Sequence, residues 1–152
     1  MSSDAARVAE LHMEGSVNCS QAVLAVYGKY FGLPEATAIK VATAFGAGMG
    51  RMGGVCGAVT GAYMVLGLTY ESGTPAARGE VYDLVREFNK RFIARNGALS
   101  CRDLLGHDIG SPEGLDAIRQ QKLTATVCPR LDRDAGEILE ELLAARLPKP
   151  KR

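Results

Sequence analysis

The chain has 152 residues, of which 47% are hydrophobic and 23% are charged, and its formal net charge at pH 7 is +1. This composition excludes an intrinsically disordered chain, and a net charge so close to zero excludes nucleic acid as an expected partner. The length is that of one folded domain, so we predict a single domain over residues 1–152 with a flexible basic tail at 148–152.

The location of the protein is expected to be cytoplasmic. The N-terminal residues contain no apolar stretch of the kind that forms a secretory signal. The longest apolar run, Val55 to Leu68, is shorter than the roughly 20 residues that cross a bilayer, so we expect no membrane insertion. In a reducing compartment the four cysteines are expected to act as thiols, metal ligands or redox groups rather than to form structural disulfides.

Helical patterns fill the first half of the chain. The segment DAARVAELHMEG predicts a short helix that ends at Gly15. Asn18 is a good N-cap for NCSQAVLAVYGKYFG, and Pro34 suits the first helical position of LPEATAIKVATAFG. The run GGVCGAVTGAYMVLG then predicts a further apolar helix, with Cys56 near its start.

The second half of the chain continues in the same way. The segment ARGEVYDLVREFNKRFIARNG predicts an amphipathic helix that Gly97 ends. Its apolar face consists of Val81, Leu84, Val85, Phe88 and Phe92. SCRDLLG predicts one short turn, DAGEILEELLAARL a last helix, and TYESGTPAARGE and HDIGSPEG loops. No strand alternation persists anywhere, so we predict an all-α bundle of about six helices.

Glycines are concentrated around residue 50. Gly48 to Gly53 matches the dinucleotide pattern G-x-G-x-x-G, but the residues before it predict a helix where that motif requires a strand. We therefore assign no nucleotide site here. Gly53, Gly57 and Gly61 are spaced by four and predict a stripe along the next helix. Such a stripe makes room for a close backbone or a bulky inorganic group, so we list these glycines as candidate cofactor-binding residues.

The four cysteines, Cys19, Cys56, Cys101 and Cys128, contain no C-x-x-C pair. The first three are predicted near the start of a helix, and Cys128, which precedes a proline, just outside or at the edge of a regular element. Cys19 follows the N-cap Asn18, and Ser100 before Cys101 begins a Ser-x-x-Asp capping pattern. Free N–H groups and the helix dipole favour an anion at such positions. We therefore expect lowered thiol pKa values, with Arg102 and Arg130 as neighbouring positive charges. Buried packing is the competing interpretation of each cysteine.

These residues resemble the C_GCAxxG_C_C family of redox-active proteins. The core CGAxxG is complete as Cys56-Gly57-Ala58-Val59-Thr60-Gly61, and NCSQAV, LSCRDLLG and VCPRL carry the other three cysteines. The resemblance extends over almost the whole chain and implies redox activity with an electron-transfer partner. A related module fused to haem domains implies an electron-transfer setting and an iron–sulfur centre, although no C-x-x-C-H is present here for haem attachment.

Three hypotheses remain open from the sequence. The four cysteines bind an iron–sulfur cluster or a zinc ion, they cycle as dithiol and disulfide pairs, or the chain is a non-enzymatic helical interaction module. A homo-oligomer such as a dimer, formed through the glycine-rich helix, is compatible with each. His107 is a candidate ligand or proton carrier near Cys101, although a simple loop position is favoured, and His12 is expected to be solvated.

Overall fold

A computed structural model describes residues 3–70 and 73–147, so the predicted tail at 148–152 lies outside the described residues. The described chain contains helical segments throughout, joined by short turns, with 3-10 turns at Lys29–Phe31 and Thr43–Phe45. The helical segments are α1 (Asp4–Met13), α2 (Cys19–Gly28), α3 (Glu35–Ala42), α4 (Gly46–Met49), α5 (Gly57–Leu68), α6 (Pro75–Asn96), α7 (Cys101–Leu105), α8 (Pro112–Gln120), α9 (Leu123–Thr126) and α10 (Cys128–Leu142).

The predicted all-α class is confirmed. Within residues 3–70 and 73–147 there is no strand, and one isolated antiparallel bridge joins Val55 to Ser100. A dinucleotide site requires a strand before the G-x-G-x-x-G motif, and no strand precedes the match in the described residues. None of the helices in this part of the chain is both long and apolar enough to cross a membrane.

The centre of the molecule is the contact between α2 and α5. Every residue of α2 is buried, and the face of α5 that meets it carries Gly57 and Gly61. A Cβ at Gly61 would lie 2.9 Å from both the Ser20 carbonyl oxygen and the Val23 Cβ. The two backbones approach this closely because the glycines have no side chain. Gly53 is not part of this stripe, since α5 begins at Gly57 and Gly53 has a left-handed φ of 69° in the preceding turn.

Helices α1, α6 and α10 complete the larger hydrophobic core. Phe88 and Phe92 of α6 are fully buried and stack at 6.0 Å between ring centroids. Ile138 and Leu139 of α10 are also fully buried. Arg95 on α6 bonds across to acidic side chains of α10, including Glu137 at 2.7 Å. A second, smaller hydrophobic cluster consists of Cys101, Leu105, Ile109 and Ile118.

Several boundaries differ from the sequence prediction, and local chemistry explains them. The segment SPEG, predicted as loop, begins α8, because Ser111 accepts from the Gly114 N–H and Pro112 occupies the first helical turn. Thr74 and Pro75 begin α6 in the same way, two residues before the predicted start. Pro34 is the N-cap of α3 rather than its first helical residue. The last helix begins at Cys128, well before the predicted segment.

The turn before Cys56 has a left-handed backbone. Gly48 and Gly50 have positive φ, and the non-glycine residues adjacent to them, Ala47, Met49 and Arg51, also have φ values of 55° to 68°. Left-handed conformation costs an L-residue roughly 1–2 kcal/mol. The strain is held in place next to the cysteines: a Cβ at Gly48 would lie 2.8 Å from the Cys101 Cβ.

Candidate redox site

All four cysteines lie at the starts of helical segments, as predicted for Cys19, Cys56 and Cys101 but not for Cys128. Cys19 is the first residue of α2, where Asn18 and Gln21 form a reciprocal capping box. Cys56 is the N-cap of α5, Cys101 follows the N-cap Ser100 of α7, and Cys128 is the first residue of α10. Each sulfur is therefore attached at a helix start, and the tertiary fold determines whether these starts meet.

The four helix starts meet at one cavity of about 110 Å³, which all four cysteines line. Cys19 and Cys56 belong to the larger hydrophobic core, whereas Cys101 belongs to the smaller cluster and Cys128 packs against it. The cavity thus lies where the two clusters meet. Cys19, Cys56 and Cys101 are buried and Cys128 is partly exposed, and all four are free thiols. The other lining residues include Ala47, Leu104, Leu105, Ile109 and Leu131.

Backbone hydrogen bonds hold two of these helix starts together. The Cys56 N–H donates to the Leu99 carbonyl at 2.8 Å, and the Cys101 N–H donates to the Gly54 carbonyl at 2.7 Å. Gly57 leaves space for the next cysteine, because a Cβ at Gly57 would overlap the Cys19 sulfur. Of the two occupants predicted for the space beside the glycine stripe, a close backbone and a bulky inorganic group, the structure has the close backbone of α2, with the Cys19 sulfur beside it.

The predicted lowering of the thiol pKa values is wrong. Burial raises the pKa of Cys19 to about 11, and the charge of Asp132 adds to the rise. Burial also raises the pKa values of Cys56, Cys101 and Cys128. N–H groups of Ala47 and Ser20 oppose the rise at Cys19, as the Ala58 N–H does at Cys56. Helix-start donors are thus present, but loss of water outweighs them, and the free thiols are protonated at neutral pH.

A histidine and a carboxylate complete the wall of the cavity. His12 Nδ1 donates to Asp132 Oδ2 at 2.6 Å, and the side chain of Asp132 is 0% exposed. Asp132 Oδ1 is buried and has no hydrogen-bond partner. Burial raises the pKa of Asp132, and the hydrogen bond with His12 opposes that rise. The prediction that His12 is solvated is wrong: its side chain is 17% exposed because it packs across the chain onto α10.

Other sequence candidates lie outside the cavity lining. His107 does not line the cavity, and its Nε2 is 3.3 Å from the amide nitrogen of Gln121. Arg102 is more than half exposed and pairs with Asp108, and Arg130 is exposed. Neither arginine lines the cavity, and neither is a cause of the pKa shifts at Cys101 and Cys128. Gly53 also lies outside the lining, whereas Gly57 is part of it.

The side chains of the described residues do not converge on a single metal ion. No group of three or more His, Cys, Asp or Glu side chains in residues 3–70 and 73–147 is arranged to hold one ion. The four sulfurs instead surround a space between them. This arrangement differs from a tetrahedral zinc site, in which four ligands lie about 2.0–2.3 Å from one ion.

Together these features define an all-α protein with four free cysteines grouped around one buried cavity. A family model described as "Putative redox-active protein (C_GCAxxG_C_C)" matches residues 17–142, and the chain belongs to this family. The resemblance drawn from the cysteine motifs is thereby confirmed. The chain matches no curated protein and no solved structure.

Proposed function

We propose that this protein transfers electrons through an iron–sulfur cluster bound by Cys19, Cys56, Cys101 and Cys128. The observation that carries the proposal is the presence of all four thiols in the wall of one cavity. Four cysteine thiolates are the usual protein ligands of two-iron and four-iron clusters. Because the irons of a cluster are separate, its ligands surround a volume rather than a point, as these sulfurs do.

The donor set and its surroundings fit such a group. Four cysteines and Asp132, whose Oδ1 has no hydrogen-bond partner, line a largely apolar cavity, and a bound cationic centre would satisfy groups that are costly to bury alone. N–H groups near Cys19 and Cys56 are placed to donate to thiolate sulfur. Hydrogen bonds to sulfur and burial are the means by which a protein adjusts a cluster potential.

The cluster, when bound, supplies one-electron redox chemistry, and the chain supplies the enclosure. Leu104, Ile109 and Leu131 line the cavity and exclude water from it. Gly57 keeps the Cys19 sulfur close to α5.

Gly57 and Gly61 face α2 of the same chain, so the glycine stripe is occupied by internal packing. Formation of a homo-oligomer, the existence of an electron-transfer partner and a cytoplasmic location stay predictions.

A second candidate function is thiol–disulfide exchange, which the partial exposure of Cys128 favours. Cys128 lines the same cavity as Cys19 and Cys101, and both contribute to its raised pKa. Oxidation of one pair would form one S–S bond. A disulfide-containing partner would accept the two electrons and two protons as its own S–S bond breaks into two thiols. The raised thiol pKa values count against this candidate, because the thiolate is the attacking species.

Anaerobic reconstitution with ferrous iron and sulfide tests the proposal against this alternative. We expect the wild-type chain to take up iron and sulfide in equal amounts, with visible absorption. Single Cys→Ser variants at each of the four positions should lose most of the bound iron. Gly67→Ala on the exposed side of α5 is the matched control and should bind as the wild type does. Iron uptake that no cysteine variant reduces would contradict the proposal.

A further inference from the structure

The carboxylate of Asp132 is buried, and one of its two oxygens has no hydrogen-bond partner. Its side chain is 0% exposed, and of its two oxygens only Oδ2 has a hydrogen-bond partner, His12. Oδ1 is buried without one, in a residue that lines the cysteine cavity. A buried acceptor left unpaired is destabilising, so its presence indicates a missing partner.

The position of Asp132 on α10 places it beside a cysteine. Cys128 and Asp132 are four residues apart on one helix, and side chains with that spacing lie on the same face. Both line the cavity. The negative charge of Asp132 also contributes to the raised pKa values of Cys19, Cys56 and Cys128.

His12 fixes the orientation of this carboxylate. The ring is at the end of α1 and reaches α10 through the 2.6 Å contact between Nδ1 and Oδ2. With Oδ2 held by His12, Oδ1 is the oxygen of this cavity-lining residue that has no hydrogen-bond partner. An outer residue that hydrogen-bonds a ligating side chain in this way fixes its geometry and strengthens metal binding.

We propose that Asp132 is a fifth metal-binding side chain of this site, supplying Oδ1 to an iron position beside Cys128, with His12 as its positioning residue. This inference rests on the proposed iron–sulfur function. It makes the donor set four thiolates and one carboxylate. One iron would then have an oxygen ligand and would differ spectroscopically from an iron bound by sulfur alone.

Iron retention and Mössbauer spectra of reconstituted Asp132→Asn test this inference. The variant keeps the side-chain shape and removes the charge. We expect it to lose iron to a chelator at least about tenfold faster than the wild type, and to lack the oxygen-bound iron signal. His12→Phe should weaken retention by about 10- to 100-fold, and His12→Asn, which restores a donor, should recover part of it. Asp134→Asn, on the same helix but paired with Arg95, is the control and should behave as the wild type.

Melting temperatures of the iron-free proteins separate a ligand role from a structural one. If Asp132 is kept for metal binding, iron-free Asp132→Asn should melt at the wild-type temperature or higher. The substitution removes a buried charge with one unpaired oxygen, and the amide oxygen can still accept from His12. Retention and spectra equal to those of the wild type would overturn the inference while leaving the proposed function intact. If Asp132→Asn loses iron faster and its iron-free form also melts below the wild type, the role of Asp132 is structural and the inference is overturned. Failure of the wild type itself to take up iron would contradict the proposed function.

Discussion

The Cα of Gly57 lies against the sulfur of Cys19, so closely that a Cβ at residue 57 would overlap it. This contact joins the start of α2 to the start of α5 and places two of the four thiols beside each other. It also explains why a cysteine in this chain is followed directly by glycine.

Replacing Gly57 with alanine should destabilise the protein by up to about 2 kcal/mol. The gain in helix propensity is about 1 kcal/mol, but overpacking in a dense core costs about 1–3 kcal/mol. Part of the strain should move the Cys19 sulfur, because the backbone atoms of Ser20 and Phe45 also lie 3.1 and 3.3 Å from the added Cβ. Urea unfolding of the iron-free protein measures the change.

Gly67→Ala is the matched control for this substitution. Gly67 is in the same helix, and nothing lies within 4 Å of a Cβ built there. We expect it to stabilise the protein by up to about 1 kcal/mol through helix propensity alone. Equal effects of the two substitutions would show that the contact with Cys19 has no energetic importance.

The thiols of the iron-free protein should react slowly with iodoacetamide at neutral pH. Their raised pKa values leave little thiolate, and three of the four are buried. The rate should rise with pH, and unfolding in urea should release four reactive thiols. Mass spectrometry after timed quenching measures this. Rapid modification of one cysteine at pH 7 would instead identify an activated thiolate and favour thiol–disulfide exchange.

Stability of the iron-free protein should fall as the pH rises from about 8.5, the ordinary cysteine pKa, towards 11. In the folded state burial raises the pKa of Cys19 to about 11, so in this window the folded chain keeps a proton that the unfolded chain releases. The unfolded state therefore gains stability with pH, by up to about 1.4 kcal/mol per unit for one such group. Urea unfolding at several pH values should give a shallower slope for Cys19→Ser, and an unchanged slope would contradict the pKa shift.

Asn18→Ala should destabilise the protein by about 0.5–2 kcal/mol, because it removes an N-cap. The Asn18 side chain accepts from the Gln21 N–H at 2.9 Å and donates to the Thr43 carbonyl at 3.0 Å. It also lines the cysteine cavity, so Cys19 alkylation should become faster. Ser3→Ala removes the exposed cap of α1 and should leave that rate unchanged. Equal Cys19 rates in both variants would show that the cap does not position this thiol.

Local signals predict the helix starts that carry Cys19, Cys56 and Cys101, but not the start of α10 at Cys128. Asn18 and Ser100 are N-caps in the structure, and Gly97 ends α6, as their residue types indicate. The helix over Pro112–Gln120 was missed because its glycine and proline are typical of loops, although Ser111 and Pro112 begin it. Capping chemistry at Ser111 would have identified this helix.

The electrostatics of the site depended on contacts distant in the sequence. His12 and Asp132 are 120 residues apart, and neither has a local pattern that indicates pairing. The spacing of Cys128 and Asp132 on one helix was the available signal for the carboxylate. The pKa direction of the thiols was mispredicted for a related reason: helix starts are visible in a sequence, whereas the burial that outweighs them depends on how the helices pack.

The most direct test of the account is the iron and acid-labile sulfide content of the native protein purified without oxygen, together with its thiol count before and after mild reduction. We predict iron and sulfide in equal amounts, visible absorption, and no rise in the thiol count on reduction. Metal-free protein whose thiol count rises by about two or four on reduction, the increments that cleavage of one or two S–S bonds produces, would contradict it.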